Sequence, residues 1–287
     1  MHLPSFLQRM RTLNLPNSIF VDCTSAQEVA DQYEEILNEN ISIVTPNKKA
    51  NSGTYDRYRA LKQAAFRRGV RFYYETNVGA GLPVINTLND LMLSGDRVIR
   101  IEAVLSGTMN YIFSSYEAGV SFSSIVRAAK EKGYTEPDPR DDLNGKDVAR
   151  KILILAREAG MPLELDQVAV KSVVPADCEQ VEGVEDFFQA LQKHDGFFEQ
   201  LRAGAEAKSQ KLRYMAVLDN GTAQVSLASV GSDHPFYSLK GSDNIILLTT
   251  ERYHDRPMVI RGPGAGAEVT AAGVFADIIR VGNYLQR

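Results

Sequence analysis

The residues best placed to do chemistry lie in one run, Gly133-Tyr134-Thr135-Glu136-Pro137-Asp138-Pro139-Arg140-Asp141-Asp142-Leu143-Asn144-Gly145-Lys146-Asp147-Val148-Ala149-Arg150-Lys151. Two prolines and five carboxylates make a rigid, extended loop that feeds a helix, with Asn144 suited to cap it. Val148, Ile152, Leu155 and Ala159 mark the buried stripe of that helix. Asp147 and Lys151 stand four apart on its flank, so both heads face the acidic loop if the loop folds back. A carboxylate beside an ammonium can orient a hydroxyl and move its proton. The same spacing makes a solvated ion pair, and spacing alone favours that plainer use.

Two glycine-rich stretches offer anion chemistry. Residues 262–267 spell G-P-G-A-G-A between a strand and a helix, a match to the G-x-G-x-x-A pattern whose glycines let the backbone approach a pyrophosphate. That pattern also needs further strands and an acidic ribose ligand, and the sequence stops 20 residues after Ala267. Either a weaker anion site at a helix N-terminus or a close-packing turn fits what remains. Gly79-Ala80-Gly81-Leu82-Pro83 reads as a tight turn with proline at the first helical position.

The elements that must position these residues fall into two patterns. A short helix over 4–13 precedes a strand over 18–22, a helix over 26–38, a strand over 41–44, a helix over 54–68 and a strand over 71–75. Strands alternating with helices predict a parallel sheet. After Gly81 the spacing predicts a helix over 83–94, a strand over 97–105 and three helical segments between 108 and 160. Strands over 212–219, 222–230 and 244–251, set apart from a polar helical region, predict an α+β domain on a mixed, mostly antiparallel sheet. A strand over 258–261 and a helix over 268–285 close the chain.

Composition narrows the function classes. With 287 residues, 44% of them hydrophobic, the chain can bury two domains. A net charge of −4 and the lack of basic tracts interleaved with aromatics argue against a nucleic-acid partner. The absence of a long apolar run or a leader-like start points away from membranes and to the cytoplasm. Cys23 and Cys178, far apart, read as small core residues, which disfavours an aldehyde dehydrogenase with a cysteine nucleophile. The four histidines lack metal-binding spacing, so no catalytic zinc is expected.

The segments VDCTS, TPNKKAN, NVGAGLPV, LSGT.NYIF, GYTEPDPRDDLNGKDVARK and GAGAEVTAAGVFAD, in this order, resemble homoserine dehydrogenases, most of all the dehydrogenase half of bifunctional aspartokinase/homoserine dehydrogenases. The resemblance runs from about Phe20 onward. It implies NAD(P)-linked interconversion of aspartate semialdehyde and homoserine in the biosynthesis of threonine, methionine and isoleucine. By likeness the cofactor is NADP, with NAD possible. Lys151 would be general acid and base, and Asp147 would orient it. Glu136 would receive the substrate's amino group, with Asp142, Thr108 and Lys48 as further substrate contacts. Thr24, Lys48 and Gly266 would touch the cofactor. Glu75, Val78, Ala80 and Leu82 would hold a monovalent cation such as sodium, mostly through backbone oxygens, the donor set a hard cation takes. A homodimer or higher oligomer and an aspartokinase domain in the full-length protein are also implied.

The sequence departs from that family at its start. Members begin with a strand, a G-x-G-x-x-G turn and a helix, whereas about 17 residues precede the VDCTS strand here. The expected fold is therefore α/β plus α+β: an incomplete Rossmann-like nucleotide-binding domain from 1–78 and 265–287, and a substrate-binding, catalytic and dimerisation domain from 79–264. A chain without the pyrophosphate loop is expected to bind cofactor weakly and to expose apolar sheet surface. The alternative is a catalytically silent dimerisation module derived from the same enzyme.

Overall fold

The computed structural model describes residues 2–285; Met1 and the last two residues of the 265–287 segment lie outside the described residues. The first half comprises α1 (Leu3–Leu13), β1 (Ile19–Val21), α2 (Gln27–Ala30), α3 (Tyr33–Asn38), β2 (Ser42–Val44), α4 (Tyr55–Arg68) and β3 (Phe72–Tyr73). The strands form a parallel sheet in the order β1-β2-β3, with Phe20 aligned on Ile43 and Ile43 on Phe72. Because side chains alternate across a strand, this register puts Phe20, Ile43 and Phe72 on one face, packed with Leu7, Tyr33, Ile36 and Leu61. The other face offers Ile19, Val44 and Tyr73.

A 3-10 turn, Glu75–Asn77, leads into the second half: α5 (Ile85–Leu93), β4 (Val98–Val104), α6 (Gly107–Ser114), α7 (Phe122–Glu131), α8 (Arg140–Leu143), α9 (Lys146–Glu158), β5 (Ala169–Val170), α10 (Ala176–Glu179), α11 (Val184–Gln192), α12 (Asp195–Glu206), β6 (Lys211–Asp219), β7 (Thr222–Val230), β8 (Asp243–Thr250) and β9 (Met258–Pro263). Its six-stranded sheet has the order β5-β7-β6-β4-β8-β9, antiparallel except where β5 joins β7. Ile101, Ala216, Leu218, Val225 and Leu248 face the helical layer, where Ile152 and Leu155 of α9 are fully buried. On the opposite face Arg213 is buried and donates to the carbonyls of Phe236, Tyr237 and Leu239, which fastens the 231–242 loop over Val104, Met215 and Ile245.

The chain then returns through α13 (Ala267–Leu285), whose Val274, Ile278 and Val281 cover the open face of the parallel sheet. Close approach is possible because Gly81 and Gly273 lack side chains. A Cβ on Gly81 would stand 2.5 Å from the Val269 carbonyl, and one on Gly273 2.5 Å from Thr76 Cγ2. The Glu75 backbone N–H donates to Asp277 of α13 at 3.0 Å, tying the same junction. No helix among the described residues is long and apolar enough to cross a membrane.

Several local expectations need correction. The helix expected over 26–38 breaks into α2 and α3 at a turn around Asp31, whose carboxylate is drawn off by Arg57 at 2.5 Å. Four helices, not three, lie between 108 and 160, because the proline-rich loop closes with the single turn of α8. Pro83 is outside α5; the Glu75 carboxylate caps that helix by accepting the Ile85 and Asn86 N–H groups at 2.7 and 2.9 Å. Cys23 is exposed beyond the end of β1, since the buried Asp22 turns it outward; Cys178 is buried. The cap of α9 is Gly145 at φ 75°, while Asn144 serves one residue earlier by accepting the Lys146 N–H at 2.8 Å.

Candidate active site

The site is built where β4 ends and α9 begins. Lys151 reaches back to the residue that follows β4, donating to the Leu105 carbonyl at 2.7 Å, while its Nζ lies 2.8 Å from Oδ2 of Asp147. Lys48, from the loop after β2, places its Nζ 3.3 Å from Oδ1 of the same carboxylate. Burial pushes the Asp147 carboxyl up, but the two ammonium groups outweigh it and hold the group well below the usual carboxylate range. Burial holds Lys48 below the usual lysine range, Asp147 opposes this, and the charges of Lys151 and Arg150 add to the depression.

The acidic loop does fold back. Thr108, in the first turn of α6, donates its hydroxyl to the Tyr134 carbonyl at 2.6 Å, and Tyr134 stacks on Tyr111 with ring centroids 4.6 Å apart. Asp142 accepts the Glu136 N–H at 2.8 Å, closing the loop on α8. Burial pushes the Asp142 carboxyl up, with the Glu136 N–H opposing it. Asp138 is committed elsewhere, paired with Arg140 at 2.6 Å. What remains is a cavity of about 500 Å³ lined by Lys48, Ser106, Glu136, Asp141, Asp142, Asn144, Lys146, Asp147 and Arg150.

The loop carrying Lys48 is held by a buried polar network. Asp22, at the C-terminal end of β1, accepts the Thr24 N–H at 2.7 Å, the Tyr33 hydroxyl at 2.5 Å and the Asn47 amide at 3.0 Å. Asn47 in turn donates to the Ala26 carbonyl and accepts the Lys49 N–H. The carboxyl ends of parallel strands are where α/β sheets bind ligands, and Thr24 is exposed there. Asp22, Asn47 and Arg150 were not singled out from sequence; Asp22 and Asn47 are buried polar residues inside the quoted VDCTS and TPNKKAN segments, and Arg150 stands three after Asp147.

Of the sequence-predicted residues, the structure brings together Lys48, Thr108, Glu136, Asp142, Asp147 and Lys151. Thr24, Gly266, Glu75, Val78, Ala80 and Leu82 do not line that cavity. Gly266, at φ 115°, is exposed at the start of α13, and its carbonyl accepts the Thr270 N–H. Gly264 is a packing glycine, since a Cβ there would run into Asn244. The carboxylate of Glu75 is spent on capping α5, but the Val78 and Ala80 carbonyls, in buried residues, accept no hydrogen bond from any described residue. Asp177, Cys178 and His194 form the one cluster of metal-ligating types among the described residues and contribute nothing to the cavity.

A parallel nucleotide-binding sheet joined to an α+β domain that carries paired lysines, a carboxylate and an acidic loop is the architecture of a two-domain dehydrogenase. The sequence profile described as "Homoserine dehydrogenase" matches residues 83–279, and that described as "Homoserine dehydrogenase, NAD binding domain" matches residues 2–75. The chain is 49% identical over 272 residues to a chloroplastic bifunctional aspartokinase/homoserine dehydrogenase of Zea mays, covering 94% of this chain and 30% of that protein. It is 44% identical to the homoserine dehydrogenase of Schizosaccharomyces pombe, covering 92% of this chain and 72% of that one. A Candida auris crystal structure titled as a protein of unknown function superposes with a TM-score of 0.93 at 41% identity, covering 99% of this chain and 81% of that one. A hyperthermophilic archaeal homoserine dehydrogenase in complex with NADPH gives 0.71 at 27% identity, covering 93% and 72%. The chain belongs to the homoserine dehydrogenase family.

Proposed function

We propose that this chain carries the NAD(P)-linked interconversion of L-aspartate 4-semialdehyde and L-homoserine. The observation that carries it is the sharing of Asp147 between Lys151 and Lys48 beneath the Glu136–Asp142 loop. The nicotinamide, when bound, supplies or accepts the hydride. As hydride reaches the aldehyde carbon, negative charge grows on its oxygen, and the Lys151 ammonium stabilises that charge and gives up its proton. Asp147 holds Lys151 in place. Lys48 stands on the opposite oxygen of Asp147, at the nucleotide-binding side, and adds positive potential to the reacting end. Glu136 and Asp142 suit the substrate's amino group, and Thr108 fixes the loop that presents them.

Thr24 and Gly266 are the cofactor contacts of this reading, Thr24 at the end of a parallel strand and Gly266 at a helix N-terminus, where free N–H groups favour anions. NADP is preferred over NAD by likeness to the bifunctional relatives. The buried, unpaired carbonyls of Val78 and Ala80 fit a sodium or potassium site completed by the Glu75 and Leu82 backbone. The division into 1–78 with 265–287 and 79–264 is supported by the packing of α13 on the parallel sheet. A homodimer, and an aspartokinase domain in a longer polypeptide, extend the same reading.

The test is homoserine-dependent reduction of NADP at alkaline pH, by the chain and by a form extended N-terminally with the segment that precedes the matched region in the Schizosaccharomyces pombe relative. Lys151→Ala should cost that form on the order of 10³-fold in kcat. An extended form silent toward homoserine overturns the assignment.

A further inference from the structure

The reaction cavity contains a cation that the protein itself leaves without a partner. Both oxygens of Asp147 are engaged, one by Lys151 and the other by Lys48. Asp142 receives the Glu136 N–H. Arg150, next to Lys151 on α9, is half-buried in the wall of this cavity of about 500 Å³, and its guanidinium makes no hydrogen bond or ion pair with any described residue. Neighbouring arginines are fully used: Arg140 holds Asp138 and the Val181 carbonyl, and Arg157 holds Glu164 and the Leu163 carbonyl. Keeping an unpaired guanidinium half-buried beside Lys48 costs repulsion and desolvation, and that cost is recovered only when an anion arrives.

We propose that Arg150 is the specificity-determining residue of the site and binds the α-carboxylate of the amino-acid substrate. This rests on the reading of the cavity as a homoserine site. The substrate is then fixed at three points, its amino group by Glu136 and Asp142, its reacting oxygen by Lys151, and its carboxylate by the guanidinium fork. Three points select one enantiomer. A fork can meet a carboxylate with two parallel hydrogen bonds, which an ammonium cannot reproduce. Lys146 is exposed at the rim of the cavity and Lys48 is bound to Asp147, so neither competes for the role.

The experiment compares homoserine with 3-amino-1-propanol, which keeps the hydroxyl and amino groups and replaces the carboxylate with hydrogen. Calorimetric binding and steady-state kinetics are measured on the N-terminally extended form and its Arg150→Met and Arg150→Lys variants. Arg150→Met should weaken homoserine about 100-fold, in KM with little change in kcat, and Arg150→Lys about 10-fold, the loss expected for charge-assisted hydrogen bonds. Affinity for 3-amino-1-propanol and the KM for NADP should stay as they were. Equal losses for both amines, a selective loss for NADP, or no loss overturns the proposal. Arg150→Lys keeps the charge and stem, so it reports even where Arg150→Met folds poorly. If the unmodified form neither binds nor turns over homoserine, the parent reading falls and takes this one with it; if it does both and Arg150→Met does them equally well, this one falls alone.

Discussion

Lys48 places its Nζ 3.3 Å from Oδ1 of Asp147, a contact that crosses from the nucleotide-binding sheet to the first turn of α9. The opposite end of α9 is tied to the same sheet: Glu158 accepts the hydroxyls of Tyr58 and Tyr74, and Arg157 donates to the Asn51 carbonyl at 2.8 Å. One helix therefore carries the Asp147–Lys151 pair at its start and the domain clamp at its end.

Asp147→Asn should therefore change both rate and pH dependence. Its carboxyl is held low in the folded state, so the stability it contributes is fully present above the ordinary carboxylate range near about pH 4 and is lost as pH falls through the depressed value. Urea unfolding of both proteins should give a gap of about 1 kcal/mol at neutral pH, discounted for partial exposure, that closes below about pH 4. A gap independent of pH would mean that the charge is not what matters.

Glu158→Gln should loosen the clamp. The carboxylate is buried, accepts Tyr58 at 2.7 Å and Tyr74 at 2.5 Å, and meets Lys62 at 3.0 Å. Burial and the Glu158 charge push both phenols far above their usual range, so the two hydroxyls remain donors at any working pH. An amide supplies one acceptor and no charge, and denaturant unfolding should register a loss of about 2 kcal/mol, the half-exposed Lys62 adding little. Tyr74→Phe should cost about 1 kcal/mol.

The βαβ order of the first half and the strands of the second were legible because hydrophobic periodicity encodes them directly. So was the α9 stripe, where Val148, Ile152 and Leu155 are all buried. The pairing of Asp147 with Lys151 followed from helical geometry, but its chemical meaning came only from the resemblance carried by the acidic-loop motif. Three things were not legible. Cys23 was misplaced because strand alternation depends on where β1 ends. Glu75 read only as a member of a mostly backbone cation site, while its side chain caps α5 across ten residues of chain. The sharing of Asp147 by Lys48 is a contact between residues far apart in sequence, which no local pattern encodes.

Gly81→Ala and Gly273→Ala should each cost about 1–3 kcal/mol, because the added methyl meets a backbone carbonyl or a side chain at 2.5 Å where α13 crosses the 75–81 turn. Gly196→Ala is the control. That glycine lies in α12 with nothing near its Cβ, so the variant should be unchanged or more stable by about 0.5 kcal/mol. Thermal unfolding of the three variants separates steric packing from a general intolerance of alanine.

Asn47→Ala tests whether Lys48 is positioned from behind. Asn47 is buried, with its amide on Asp22 and the Ala26 carbonyl at 3.0 Å each and its oxygen on the Lys49 N–H at 3.0 Å. Removing it leaves Asp22 with one donor fewer and frees the loop between Asn47 and Ser52, at a stability cost of about 2 kcal/mol. Lys48 would then sample positions away from Asp147, and misplacement by about 1 Å is enough to lower kcat/KM by roughly 10²-fold. A merely structural role predicts the loss of stability with kcat/KM intact at temperatures well below unfolding. Asn47→Asp, which keeps the oxygen on Lys49 but sets a second carboxylate against Asp22, should fall with the alanine variant near neutral pH.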